Sequence, residues 1–219
     1  MPTAAVQDGS EFEGDCQRLN YHRVFGGQLL GQFVRAARAT CPDKAVKSLH
    51  AVFAKEGRAD DPVRYQVTRH HEGRSFATLT ITASQPRGVL ATSSVSMHMA
   101  EDGLDHQNTA AVPPVLDEKH RVELDLIPWE TRSADDLNAL AAGPPRFEVW
   151  MRTPAVDGEF APALTAYATD LTLIGTALRP VEGRCFARGD VLTEDGSLVA
   201  SYAQEALLRF RDAGDPAGA

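Results

Sequence analysis

The chain has 219 residues, 43% of them hydrophobic and 24% charged, which is enough to bury a sizeable core as one large domain or two small ones. A net charge of −8 and a pI near 5.3 argue against nucleic-acid binding and against polybasic attachment to a membrane, since both need a positive field. No apolar run approaches the roughly 18 residues of a membrane span, so no membrane insertion is expected. Residues 1–15 lack the basic and apolar regions of a secretory signal, which makes the cytoplasm the default expectation.

In chain order, "VFGGQLLGQFVRAARA" (Val24–Ala39) reads as an amphipathic helix, with Leu29/Leu30, Phe33/Val34 and Ala37 at helical spacing and Cys41-Pro42 ending it. Four strand-like runs follow: "SLHAVFA", "PVRYQVTRH", "SFATLTITAS" and, past a Pro-Arg-Gly turn at 86–88, "VLATSSVSMHM". In the third, Ala77, Leu79, Ile81 and Ala83 alternate with Phe76 and threonines, which predicts a sheet with one buried face. The adjacent His70 and His71 would point to opposite strand faces and so cannot share a metal. Cys16, Cys41 and Cys185 are odd in number and far apart, so reduced thiols are expected rather than disulfides or a zinc site.

Residues 108–145 read as a connector carrying an early strand at Val122–Ile127, and "RFEVWMRT" as a further strand. Pro162 suits the first turn of a second helix running to about Leu178. "RCFARGDVLTEDGSLVASYAQEALLRF" reads as a hairpin turning at Asp195-Gly196, and the tail as disordered. The two halves echo each other: aligning Gly88 with Gly196 sets Leu90 on Leu198 and Ser93 on Ser201. If Asp170 corresponds to Val34, the second half is short by about 28 residues, or about two strands.

Five separated segments, "RVFGGQLLGQ", "HAVFAKEG", "GRSFATLTITASQ", "ATDLTL" and "EDGSLVASYAQEALLR", resemble the type II acyl-CoA thioesterase family. The resemblance spans nearly all of residues 11–210 and implies an α+β double hot-dog: one helix-on-antiparallel-sheet unit at 11–107, the connector at 108–145, a shortened second unit at 146–212, and a tail at 213–219. It also implies hydrolysis of fatty acyl-CoA without metal, cofactor or covalent intermediate. The family's trio is an Asp on the second helix, a Thr or Ser on the next strand, and a Gln near the end of the last strand. Asp170 in "ATDL" matches the first and Gln204 in "YAQEALLR" the last. The strand bearing the hydroxyl is missing, because Leu178-Arg179-Pro180 passes almost directly into Gly183-Arg184.

Hydrolysis of a thioester needs an activated water, a group to place it, and stabilisation of the oxyanion. Asp170 is the expected general base, in an apolar helix whose neighbours Ala166, Tyr167, Leu173 and Ile174 cannot pair its charge. Gln204 would hold the water through one donor and one acceptor. "FGGQ" would face the substrate, Gly26 and Gly27 offering helix-start N–H groups to the oxyanion with Gln28 beside them. The glycine pair has a second reading, close helix packing. Arg74, with Arg69 and Arg87, is a candidate for the CoA phosphates or simply a solvated strand end. Exposed sheet edges predict a homo-oligomer. A non-catalytic hot-dog protein that binds acyl-CoA or serves assembly is the alternative. A serine hydrolase would need a Gly-x-Ser-x-Gly elbow, which is absent, and a hot-dog dehydratase would want a His close to the Asp.

Overall fold

A computed structural model describes residues 5–7, 10–19, 22–104, 106–109, 111–124, 126–135, 148–170 and 184–207, and these fall into two units. The first comprises Met1–His106, Glu123–Trp129 and Arg152–Asp170. Its six-stranded sheet contains β1 (Ala5–Gln7), β2 (Glu11–Gly14), β3 (Ala45–Phe53), β4 (Val63–Glu72), β5 (Phe76–Gln85) and β6 (Gly88–His98). The order is β1-β2-β4-β5-β6-β3, with every neighbouring pair antiparallel. Helix α1 (Gly26–Thr40) joins β2 to β3, strands near opposite edges, and lies over one face.

The alternation legible in β5 is realised: Ala77, Leu79, Ile81 and Ala83 are fully buried while Phe76 is 47% exposed. Leu29, Phe33, Ala36 and Ala37 of α1 close the core from above. Strands β1 and β2 are additions to the expected set; Phe12 packs in the core, but the stretch is too short for its pattern to stand out. A bulge at His70 interrupts the β4–β5 ladder, and the ring Nε2 lies 2.7 Å from Thr80 Oγ1. Among the described residues no group of three His, Cys, Asp or Glu is placed to hold a metal ion, and no helix is long and apolar enough to cross a membrane.

The loop before β4 fixes where α1 begins. The Gln85 side chain accepts from Arg58 N–H at 2.9 Å and donates to the Arg58 and Asp61 carbonyls at 2.8 and 2.7 Å. Val24 N–H donates to Gly57 O at 3.0 Å. A Cβ on Gly57 would meet Leu90, Val24 and Gln85, so only glycine allows this close approach. The start of α1 therefore stands at the β5–β6 turn, where Gly88 adopts φ +119°.

Helix α2 (Ala161–Thr169) follows a single 3-10 turn at Gly158–Phe160, with Pro162 in its first turn as expected. Ala163, Leu164 and Tyr167 form its buried face, and the Arg35 guanidinium of α1 sits 4.1 Å over the Phe160 ring. The expected continuation to Leu178 lies outside the described residues, as do most of "RFEVWMRT" before Trp150 and the tail. The early strand expected at Val122–Ile127 is replaced by two, β7 (Arg121–Leu124) and β8 (Ile127–Arg132), which with β9 (Trp150–Arg152) form a three-stranded sheet.

The second unit comprises Gln107–Val122, Glu130–Met151 and Leu171–Ala219. Its hairpin, β10 (Arg184–Leu192) and β11 (Leu198–Leu207), turns at Gly196 with φ +89°. Gln107 clamps the turn, donating to Gly196 O at 2.8 Å and accepting from Leu198 N–H at 2.9 Å. The ladders correct the internal echo by one residue. Bulges fall at Leu90 and at Val199, so Val199 rather than Leu198 corresponds to Leu90, and Tyr202 rather than Ser201 to Ser93. The cause is turn length: Gln85 pairs with Gly88 across two residues, whereas Leu192 pairs with Leu198 across five.

Candidate active site

Within the first unit the fold brings three of the named residues together: Gly26, Gly27 and Asp170. Phe25 caps α1 in an extended conformation without a side-chain hydrogen bond, so the first N–H groups of the helix need acceptors from elsewhere. Asp170, half-buried at the end of α2, supplies one: its Oδ2 accepts from Gly27 N–H at 2.9 Å. A carboxylate at a helix start is favoured by the dipole and by a charge-assisted hydrogen bond.

This answers one expectation and corrects another. The charge on Asp170, which its own helix cannot pair, is met by a donor 143 residues away in sequence. The Gly27 N–H expected to face an oxyanion instead holds the carboxylate. The glycine pair serves close approach. A Cβ on Gly27 would strike the Tyr167 carbonyl and lie 2.5 Å from Phe25 Cε1, while a Cβ on Gly26 would stand 2.7 Å from Asp170 Oδ2.

Gln28 is 2% exposed and its amide is engaged. Its Oε1 accepts from Gln17 N–H at 2.7 Å, and its Nε2 donates to Gln32 Oε1 at 3.2 Å and Asp15 O at 3.3 Å. It is a tether between α1 and the segment preceding it. Arg74 is exposed in the β4–β5 turn, at the opposite end of β5 from the start of α1. Nine strand steps of about 3.3 Å each separate the two ends by roughly 30 Å, so Arg74 stands apart from the cluster. Arg87 lies at the near end, where its carbonyl accepts from Lys55 Nζ at 2.5 Å.

Tyr167 is the residue that sequence reasoning passed over. It is 1% exposed, its ring packs edge-on against Phe25 at 5.0 Å and tilted against Trp129 at 5.4 Å, and its hydroxyl lies 2.6 Å from Leu126 O and 2.8 Å from Gln17 Oε1. Burial foremost, with the nearby Asp170 charge, pushes its pKa up to about 12 against the lowering effect of the Gln17 hydrogen bond, so the phenol stays a donor at physiological pH. The only signal in the sequence was its spacing, three residues before Asp170 on the same helix.

In the second unit Gln204 stands on β11 opposite Ala187, half-buried.

Residues 17–98 match the family described as the acyl-CoA thioesterase N-terminal domain. The chain is 26% identical to acyl-CoA thioesterase 2 of Haemophilus influenzae over 269 aligned positions, covering 92% of this chain and 93% of that protein. The alignment is longer than the chain, so that relative carries residues with no counterpart here. Identity to acyl-coenzyme A thioesterase 8 of Rattus norvegicus is 30%, over 74% of this chain and 61% of that protein. Among solved structures, the acyl-CoA thioesterase II TesB2 of Mycobacterium marinum superposes with a TM-score of 0.74 at 25% identity, over 97% of each chain.

Proposed function

Because the chain belongs to the type II acyl-CoA thioesterase family and has its double hot-dog fold, we propose that it hydrolyses fatty acyl-CoA to free acid and CoA with Asp170 as general base. The observation that carries this reading is the grip of Gly27 N–H on Asp170 Oδ2 at 2.9 Å. A carboxylate fixed through one oxygen has its second in a defined direction, which is what a base must offer to a water. Asp170 takes a proton from the water as its oxygen bonds to the thioester carbon. The tetrahedral oxyanion then collapses, the carbon–sulfur bond breaks, and the thiolate of CoA takes the proton back from Asp170. Gln204, matched to the family's terminal Gln, is assigned to holding the water; an amide offers a donor and an acceptor without competing for protons.

The second hot-dog unit is read as shortened by about two strands, from the short span between Asp170 and the last hairpin. A cytoplasmic homo-oligomer acting in lipid metabolism completes the proposal. Thiol release from a panel of acyl-CoAs tests it. Asp170→Asn keeps the shape and the Gly27 contact, so unfolding should be unchanged while turnover is lost. Wild-type turnover in that variant would sink the assignment, and saturable acyl-CoA binding without turnover in the unmodified chain would favour the non-catalytic alternative.

A further inference from the structure

We propose that Tyr167 is a positioning residue of the reaction, aiming the Asp170 carboxylate through a relay of buried and half-buried polar groups anchored in the sheet; the proposal rests on the reading of Asp170 as the base. Tyr167 touches both sides of the Asp170–Gly27 hydrogen bond. It lies one turn before Asp170 on α2, and its ring packs on Phe25, the residue that caps the helix beginning Gly26-Gly27. The Tyr167 carbonyl blocks any side chain at position 27, so the two backbones are already at closest approach there. The depth to which the tyrosine is seated therefore sets how far the carboxylate stands from the Gly27 N–H.

That depth is fixed at the hydroxyl. Its single proton is shared between Leu126 O at 2.6 Å and Gln17 Oε1 at 2.8 Å. Gln17 is held in turn by its backbone N–H on Gln28 Oε1, and Gln28 by Gln32, whose Oε1 also receives the Tyr65 hydroxyl. Tyr65 is a core residue of β4, 1% exposed. The path Tyr65–Gln32–Gln28–Gln17–Tyr167 thus runs from the rigid sheet through α1 to the last turn of α2. It occupies groups that would be costly to leave without partners, which is why they stay in register. A packing role alone would need only the ring; the hydroxyl and its two acceptors add a fixed distance.

The test compares Tyr167→Phe, Asp170→Asn and the double variant for kcat and KM in thiol release, with the Gly27 amide followed by hydrogen exchange. Tyr167→Phe keeps the ring contacts. The expected result is a kcat about tenfold lower with KM within about twofold, faster exchange at Gly27, and no further loss when added to Asp170→Asn. Gln17→Ala, which keeps Tyr167 itself, should lower kcat in the same direction. Wild-type kcat in Tyr167→Phe beside an inactive Asp170→Asn overturns the positioning role and leaves Asp170 as base. An active Asp170→Asn overturns the base, and positioning with it. Losses that multiply in the double variant would mean that Tyr167 acts independently of Asp170, which also overturns the proposal.

Discussion

Replacing the two adjacent glycines at the start of α1 should cost stability to different degrees. In Gly27→Ala the new Cβ meets the Tyr167 carbonyl and lies 2.5 and 2.9 Å from Phe25 Cε1 and Cζ, where ordinary contacts begin near 3.4 Å. The carbonyl is backbone, so α2 must retreat or the helix start must unwind. Overpacking of this kind costs roughly 1–3 kcal/mol, and weakening the bond to a charged carboxylate adds roughly 1.5–3 kcal/mol. Against this stands at most about 1 kcal/mol of helix propensity gained over glycine. The net loss is about 1.5–5 kcal/mol, or a fall in Tm of about 3–20 °C for a chain this size. In Gly26→Ala the obstacle is the tip of the Asp170 side chain, 2.7 Å from the new Cβ, which must turn aside and weaken its bond to the Gly27 N–H. Stability should fall by roughly 0.5–2 kcal/mol, the weakened carboxylate bond less the same propensity gain, and turnover should fall roughly 10- to 100-fold because the carboxylate is pushed off its aim. Circular dichroism melts and thiol release measure both. A Gly27→Ala variant with wild-type Tm and turnover would refute the reasoning, as would equal destabilisation by the two substitutions.

Leu79→Ala, at a fully buried position between α1 and the sheet, should cost about 2–5 kcal/mol by urea unfolding; a loss under about 1 kcal/mol would contradict the packing described. Ser93 is 2% exposed and its hydroxyl has no hydrogen-bond partner among the described residues, so Ser93→Ala should be neutral or stabilising by up to about 1 kcal/mol in the same assay, and a clear destabilisation would count against its isolation. Burial raises the pKa of both Cys16 and Cys41, which leaves less thiolate at neutral pH. Both should therefore react slowly with dithiobis(nitrobenzoate) until the chain is unfolded, and a fast burst from either one in the native protein would disprove that.

Much of the fold was legible because its signals are local. Helix α1 announces itself through apolar residues at helical spacing, β5 through strict alternation, and the hairpin turns through glycines that adopt positive φ at 88 and 196. The echo between the two hairpins is one residue out of register, since Gly88 follows a two-residue turn while Gly196 lies inside a five-residue one. The site was legible only as residue types in a family pattern. Gly26, Gly27 and Asp170 were named together, yet Arg74 was grouped with them from across about 30 Å of sheet, and Gln28 was assigned outward to a substrate although its amide is taken up by Gln17, Gln32 and Asp15.

The sequence by itself determined α1, the strands β3 to β6 and the two glycine turns, because backbone sterics and the 3.6- and 2-residue periods act between neighbours along the chain. It also marked Asp170 as an isolated charge in an apolar helix. Only the tertiary structure decided what meets that charge. The Gly27 N–H and Asp170 are 143 residues apart, and the distance between them depends on how α2 seats on α1, through Tyr167, Phe25 and the buried glutamines. No periodicity encodes that seating, since it arises from side-chain volumes and hydrogen-bond partners that meet only when the chain has closed on itself.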